Sequence, residues 1–358
     1  MSDNRARIGF IGAGWWATSN HMPVFVERDD VDLVGVCRLG KDELIHVQEA
    51  FGFSYATEDY RQLLSDVEMD GVVIASPHTS HYEHAKAALE QGLHVMCEKP
   101  MCTDGSQAME LVQLAKDRNL HLLVPYGWHY KKFVLEAKAL LDGGIIGDIQ
   151  YVMTHMASPI RQLLTGVAYT GESGGTEAFF EPEAATWADP KVAGGGYGHS
   201  QLSHAIGMLF WLTDLYPAEV NGIMTAPDSK VELYDALTVR FENGIIGSFS
   251  GSSGIPGDSG FQVQINLFGT EGTLLLYVEW GPSSKPRFEI MRHDGKHQKF
   301  DLDSEAGNYV ADGPPNNFAD LLTGKNPENW APGYVGLRST EILSTAYKSS
   351  VSGKPEKV

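Results

Sequence analysis

The chain has 358 residues, of which 42 % are hydrophobic and 20 % are charged, a balance typical of globular proteins and a length that favours two domains over one. Its 46 acidic and 27 basic residues give a formal charge of −19, which repels nucleic-acid backbones and anionic membrane surfaces. Three cysteines and the lack of zinc-ligand spacing argue against a disulfide framework and a metal site. With no export signal or long apolar run, we expect a cytoplasmic protein.

The first third of the chain has the pattern of a dinucleotide-binding domain. Short runs rich in Val and Ile alternate with longer helical patterns, which is typical of βαβ units and predicts an α/β Rossmann domain with a parallel sheet over residues 1–126. The predicted strands are Arg7–Ile11, Val31–Cys37, Gly71–Ser76, Leu93–Cys97 and His121–Pro125, and the predicted helices include Ser80–Gln91 and Asp104–Arg118.

The remaining residues, 127–358, predict a second, α+β domain for substrate binding and oligomerisation, with an open and mostly antiparallel sheet. The stretch Thr165–Lys191 is rich in Gly, Glu and Pro and predicts a long loop. Two closing helices are predicted, and we expect the last of them to pack back on the first domain. The predicted strands are Ala218–Ala226, Ala236–Glu242, Ile246–Ser252, Phe261–Gly269 and Thr273–Val278, and the closing helices are Asn316–Leu322 and Gly333–Ser350.

A glycine-rich turn follows the first strand. In the segment Gly12-Ala13-Gly14-Trp15-Trp16-Ala17, Gly12 permits the tight turn, Gly14 lets the backbone approach a pyrophosphate and Ala17 allows close helix packing. This position, between a strand and a helix, is the context that dinucleotide binding requires. Trp15 and Trp16 either wall the nicotinamide pocket or fill the space between the domains.

Arg38 stands directly after the second strand, where an acidic residue usually binds the adenosine ribose of NAD. A guanidinium there can stack on adenine and pair with a 2′-phosphate. We therefore expect a preference for NADP, with NAD as the alternative. Arg38 could also be a solvated loop residue.

Polar residues follow two further strands at the carboxyl edge of the predicted sheet, where ligands of doubly wound folds bind. Ser76, Pro77 and His81 follow one strand, and Glu98 and Lys99 follow the next. We expect all five at the cofactor, with the Lys99 ammonium also reaching a substrate hydroxyl.

Four segments together resemble the Gfo/Idh/MocA family of oxidoreductases, and the resemblance runs along nearly the whole chain. It implies hydride transfer between NAD or NADP and a secondary alcohol or ketone of a sugar or polyol. It also implies a homodimer or homotetramer formed through the second sheet. The segments are Gly12-Ala13-Gly14, Ser76-Pro77 with His81, Gly92–Pro100, and Gly194-Gly195-Gly196 with His204.

The resemblance assigns catalysis to Lys99 and His204. An ammonium stabilises a developing alkoxide, and an imidazole transfers protons near neutral pH. The family's usual Asp, four residues before the His, is replaced by Ser200, which would share a helix face with His204. Either Ser200 and the adjacent Gln201 bind a less hydroxylated substrate, or the acid/base role has moved to His199 or Tyr197.

Other candidates carry weaker signals. His129, in an aromatic segment after the last strand of the first domain, is expected with His199, Ser200 and Gln201 to bind substrate, although packing between domains would also explain it. His21 could line the cofactor cleft or cap the helix before Pro23. The weakest candidates are His155, Arg161 and Glu177.

Two other functions remain compatible with these residues. One is a redox-neutral reaction in which bound nicotinamide transiently oxidises a sugar carbon so that a neighbouring group can be eliminated or a glycoside cleaved. The other is a non-catalytic nucleotide-binding sensor, since a fold does not establish a function. Both Lys99 and His204 are present, which argues against the sensor.

Overall fold

The first half of the chain forms a six-stranded parallel sheet in the computed structural model, which describes residues 5–168, 178–281 and 285–358. Its strands are β1 (Ala6–Ile11), β2 (Val31–Cys37), β3 (Tyr55–Thr57), β4 (Gly71–Ile74), β5 (His94–Cys97) and β6 (Leu122–Leu123). They lie in the order β3-β2-β1-β4-β5-β6. The order reverses between β1 and β4, so the crevice at their carboxyl ends is the expected ligand site.

Helices cover both faces of this sheet, because its central strands β1, β4 and β5 are mostly buried on both sides. The helices are α1 (Met22–Val26), α2 (Lys41–Phe51), α3 (Tyr60–Asp66), α4 (His81–Glu90) and α5 (Gly105–Asp117). The Asp104 carboxylate caps α5 by accepting hydrogen bonds from the backbone N–H groups of Ser106 and Gln107.

The rest of the chain forms a nine-stranded sheet. Its strands are β7 (Ile149–Ala157), β8 (Pro217–Thr225), β9 (Tyr234–Phe241), β10 (Ile246–Ser252), β11 (Phe261–Gly269), β12 (Gly272–Trp280), β13 (Arg287–Arg292), β14 (His297–Phe300) and β15 (Glu356–Lys357). They lie in the order β14-β13-β12-β11-β7-β10-β9-β8-β15. Strand β10 pairs with β7 in parallel, and every other described pair is antiparallel.

The second domain has seven helices among the described residues: α6 (Lys132–Asp142), α7 (Arg161–Leu164), α8 (Ala184–Ala188), α9 (Pro190–Ala193), α10 (Ser203–Leu212), α11 (Gly313–Thr323) and α12 (Gly333–Ser352). Helix α12 contacts both domains: the Thr340 hydroxyl donates to the Cys102 carbonyl at 3.4 Å, and the Ser339 hydroxyl to the Ser203 carbonyl at 3.3 Å. No helix in the described ranges is long and apolar enough to cross a bilayer.

The predicted class, a parallel Rossmann sheet followed by an open and mostly antiparallel sheet, is confirmed. The strands predicted at Val31–Cys37, Ile246–Ser252 and Phe261–Gly269 match residue for residue. The segment Thr165–Lys191, predicted as a loop, contains the short helix α8 and the start of α9. Glu177 lies outside the described residues.

Two segments expected as regular helices begin instead in a π-turn. Residues Ala17–His21 form one directly before α1, and residues Gly198–Leu202 form the other directly before α10. A π-turn is wider than an α-helical turn and often occurs at functional sites. Ser200 lies inside the second π-turn, and His204 lies in the first turn of α10, four residues later.

Candidate functional site

The glycine turn after β1 has the geometry of a backbone cradle. Gly12 has a φ of +96°, and a Cβ there would lie 2.4 Å from the backbone of Ala75 and Ser76, so only glycine fits. A Cβ on Gly14 would meet nothing within 4 Å. Gly14 thus leaves open space in front of the backbone, while Ala17 is buried against the helix.

Unpartnered hydrogen-bond donors surround this turn. The indole N–H groups of Trp15 and Trp16 and the Nε–H of Arg38 are buried and have no hydrogen-bond partner in the described part of the chain. Arg38 also donates from Nη1 to the Ala13 carbonyl at 2.6 Å. Buried donors without acceptors are rare, and these would suit a bound anionic nucleotide.

Lys99 reaches across from the first domain to the second. Its Nζ donates to the backbone carbonyl of Ser200 at 2.9 Å, and the residue is only 9 % exposed. Burial lowers the pKa of Lys99, and the charge of Glu98 opposes that shift. The ammonium is therefore held at the domain boundary by a single described hydrogen bond, which leaves it donors for a ligand.

Glu98 is engaged by the protein itself. Its Oε1 lies 2.7 Å from Nε2 of His21, and its Oε2 accepts from the backbone N–H of Lys99 at 3.0 Å. Burial acts to raise the pKa of Glu98, but the hydrogen bond and charge of His21, together with Lys99, outweigh it and lower the pKa. His21 makes no side-chain cap to α1, so the pairing with Glu98, and not a cap before Pro23, is its observed contact.

His81 connects the loops that follow β4 and β5. Its Nε2 lies 2.7 Å from the Ser76 carbonyl oxygen and its Nδ1 lies 2.8 Å from the Pro100 carbonyl oxygen. The ring is fully buried, so it positions these loops from beneath. Ser76 turns its hydroxyl to Nδ1 of His84 at 2.9 Å, and Pro77 is exposed at the start of a short 3-10 turn.

Aromatic rings surround His204. The rings of Trp128, Tyr309 and Tyr126 lie with centroids 5.3, 5.5 and 6.0 Å from its imidazole, all edge-on. Tyr309 also lies 6.0 Å from Trp16 beside the glycine turn. These contacts make the surroundings of His204 apolar, and Tyr309 lies between His204 and Trp16.

The pKa of His204 is lowered well below its usual value, first by burial and then by the charges of Lys99 and His129. The imidazole is therefore neutral at pH 7 and has a lone pair with which to accept a proton. Its Nδ1 is buried without a hydrogen-bond partner among the described residues.

His129 and His199 are fully buried near this centre. His129 stacks on Trp211 at 5.1 Å and its Nδ1 lies 3.2 Å from the Trp330 carbonyl, while burial lowers its pKa to about 3. The His199 ring packs on Tyr347 at 4.6 Å, and burial lowers its pKa to about 4. Neither ring nitrogen of His199 has a hydrogen-bond partner in the described ranges.

Matches to two family models decide which family this is. The Rossmann model of the Gfo/Idh/MocA oxidoreductases matches residues 6–126, and the C-terminal-domain model of the same family matches residues 134–275. The chain belongs to the Gfo/Idh/MocA oxidoreductase family.

Several curated relatives act on sugars. The chain is 35 % identical to D-glucoside 3-dehydrogenase of Escherichia coli over 160 residues, which is 44 % of either chain. It is 23 % identical to the NADP-dependent D-xylose 1-dehydrogenase of Haloarcula marismortui, over 98 % of this chain and 92 % of that enzyme.

Solved structures show the same fold over the full length. The WlbA dehydrogenase of Chromobacterium violaceum, in complex with NADH and UDP-GlcNAcA, has a TM-score of 0.78 at 20 % identity and covers 100 % of this chain and 97 % of its own. The aldose-aldose oxidoreductase of Caulobacter crescentus has a TM-score of 0.72 at 17 % identity, with 99 % and 100 % covered.

Three of the remaining candidates make their described hydrogen bonds away from Lys99 and His204. Tyr197 donates nothing to the centre: its hydroxyl accepts from Ser158 at 3.1 Å. His155 pairs with the Ser250 hydroxyl on the second sheet, and Arg161 reaches the Tyr234 hydroxyl at 3.4 Å. Gln201 is buried in the π-turn. Over the described residues, no group of three or more His, Cys, Asp or Glu is arranged to hold a metal ion.

Two residues that the structure places beside the candidate site have no sequence motif of their own. Tyr309 lies on the loop before α11, and its hydroxyl donates to the Pro125 carbonyl and accepts from the Gly127 N–H, which fixes the turn carrying Trp128. Glu232 lies before β9 and accepts from the N–H groups of Gly196 and Gly198 at 2.7 and 2.9 Å. An aromatic and an acid, each alone in a loop, gave no signal in the sequence.

Proposed function

We propose that this protein is a dehydrogenase or reductase that transfers a hydride between NADP, or less favourably NAD, and a secondary alcohol or ketone of a sugar or polyol. The observation that carries it is the convergence of Lys99 and His204 at the domain boundary. Lys99 is hydrogen-bonded to the π-turn that leads into the helix of His204, and burial together with the charge of Lys99 lowers the pKa of that imidazole. The names of the relatives support a carbohydrate substrate.

The cofactor would be held by the glycine turn, by the unpartnered donors of Trp15, Trp16 and Arg38, and beside Ser76 at the end of β4. When bound, it supplies the acceptor or donor of the hydride. Arg38 supports NADP over NAD because its guanidinium suits a 2′-phosphate.

In the direction of oxidation, Lys99 donates a hydrogen bond to the reacting hydroxyl and stabilises the negative charge that develops on its oxygen. Neutral His204 accepts the hydroxyl proton as the hydride leaves the same carbon. The aromatic rings around His204 exclude water and offer flat apolar faces to a sugar ring. His129, His199, Ser200 and Gln201 would complete the substrate pocket.

To test this, purified protein is incubated with NADP or NAD and with aldoses, glycosides, inositols or the corresponding ketones. Turnover is measured by the absorbance of reduced nicotinamide. Turnover with a carbohydrate, at lower KM for NADP, is the expected result. If products form from a sugar without any net change in nicotinamide, the reaction is the redox-neutral one. If neither nucleotide binds, the proposed function is wrong.

The second sheet would carry the contact between copies of the chain. Exposed Ile246 and Phe268 flank Tyr151 in register on neighbouring strands and form an apolar row on the sheet surface. Such exposed rows mark protein–protein contacts. Ile246→Asp should therefore lower the mass measured by light scattering from a dimer or tetramer toward a monomer, and an unchanged mass would place the contact elsewhere.

A further inference from the structure

Two adjacent phenylalanines of the second domain lie on the nucleotide-binding domain. Phe179 and Phe180 precede α8 in the chain, yet both pack against the core of the first domain. Phe179 stacks on His46 of α2 with ring centroids 4.5 Å apart and an interplanar angle of 15°, and it lies 5.2 Å from Phe51 at the end of the same helix.

Phe180 contacts the residue expected to bind the adenosine end of the cofactor. The guanidinium carbon of Arg38 lies 4.3 Å from the centroid of the Phe180 ring, a cation–π contact. The same guanidinium donates to the Ala13 carbonyl in the glycine turn. Arg38 is thus clamped between an aromatic face and the turn, with its Nε–H buried and unpartnered.

We infer that Phe180 is a positioning residue for cofactor binding: it backs the Arg38 guanidinium so that the planar group is already oriented toward adenine and a 2′-phosphate. The inference rests on the proposed nicotinamide cofactor and extends it, because it gives the second domain a part in binding the adenosine half of the nucleotide.

The physical basis is the cost of ordering a long side chain. A free arginine loses considerable rotamer entropy when it binds a ligand, whereas an arginine already stacked and hydrogen-bonded loses little. Phe179 contributes by fixing the pair to α2. Burial lowers the pKa of Arg38, and the negative charges of Glu43 and Glu183 oppose that shift. Because these carboxylates also repel an anionic ligand, the orientation of the guanidinium must contribute to binding in addition to its charge.

The experiment is titration calorimetry of the full chain with NADP, NAD and adenosine 2′,5′-bisphosphate, a fragment without the nicotinamide. Phe180→Ala should weaken binding of NADP and of the fragment by about three- to tenfold, the cost of ordering one long side chain on binding. Binding of NAD should weaken less, because it lacks the 2′-phosphate. Phe180→Tyr, which keeps the aromatic face, should restore the wild-type affinity.

A double-mutant cycle separates positioning from mere packing. If Phe180 acts through Arg38, adding Phe180→Ala to Arg38→Ala should cause no further loss of NADP affinity. Phe261→Ala serves as the matched control, because Phe261 is a partly buried phenylalanine stacked on Trp280 in the second sheet. That variant should bind NADP as the wild type does.

Unchanged or tighter NADP binding by a folded Phe180→Ala variant would overturn the inference, and so would additive losses in the cycle. If Phe180→Ala unfolds at a lower temperature than the wild type, Phe180→Leu is used instead, because leucine keeps apolar volume but removes the ring. Failure of the wild-type protein to bind either nucleotide would overturn the proposed function, whereas nucleotide binding that ignores Phe180 would overturn only this inference.

Discussion

The Nζ of Lys99, after strand β5 of the first domain, donates a hydrogen bond of 2.9 Å to the backbone carbonyl of Ser200 in the second domain. The resemblance to the family implies an aspartate at the position that Ser200 occupies. The contact uses its backbone and not its side chain, so a residue of any type at this position could accept it. This explains how the ammonium keeps its place although the carboxylate is missing.

Lys99→Met should lower kcat by about 10²- to 10³-fold, the usual cost of removing a group that stabilises a developing oxyanion. Nucleotide affinity should change little. Because burial lowers the pKa of Lys99, the activity of the wild type should fall with rising pH before the 10.5 of a free lysine is reached. Steady-state kinetics over pH, with Lys86→Met as a control at a partly exposed lysine, would test this; full activity of Lys99→Met would contradict it.

His204→Ala should lower kcat by about 10²- to 10⁴-fold, the contribution of a general base, while NADP still binds. The base must be deprotonated, so activity falls as pH drops through its pKa. Because burial and the charges of Lys99 and His129 lower that pKa, the acid limb of the kcat/KM profile should lie well below pH 6.5. His199→Ala is the comparison, and a larger loss there than at His204 would move the acid/base role to His199.

Glu98→Gln should destabilise the protein by about 2 kcal/mol, since it removes the charged partner of the buried hydrogen bond to His21. The folded-state pKa of Glu98 is lowered, so its contribution is present above pH 4.5 and is lost as pH falls through the lowered value. Denaturant unfolding of both proteins should therefore show a difference that shrinks only at acidic pH.

The control for that measurement is Glu83→Gln, which breaks an exposed ion pair with Arg61 and should cost less than about 1 kcal/mol. Equal effects at the two positions would mean that the Glu98–His21 pair does not stabilise the fold.

Glu232→Gln should cost about 2 kcal/mol, because the carboxylate accepts hydrogen bonds from two backbone N–H groups and from the Tyr347 hydroxyl at 2.5 Å, and an amide cannot replace all three. It should also lower kcat, since the turn it holds leads into the π-turn that contacts Lys99. Thermal unfolding and kinetics would show both effects. Glu219→Gln, at an exposed pair with Arg240, should show neither.

The sequence alone determined the architecture. The central strands β1, β4 and β5 of the first sheet are short, mostly buried apolar runs, whereas β9 and β10 of the second sheet alternate between buried and more exposed residues. The order of residues therefore records whether a strand is covered on two faces or on one. The glycine turn also follows from local rules, because a φ of +96° at Gly12 excludes other residues. The resemblance to the family brought Lys99 and His204 forward as catalytic candidates.

Only the tertiary structure decided how the two domains meet. Tyr309 contacts both Trp16 and His204, and Phe180 lies on Arg38. Glu232 accepts hydrogen bonds from Gly196 and Gly198, just before α10. The residues in each of these contacts are far apart in the chain. Such contacts depend on where the domains place their loops, and a loop residue has no periodicity that records its distant partner. The sequence pattern did not predict the π-turn before α10 for the same reason, because tertiary packing favours this wider turn over a regular α-helical one.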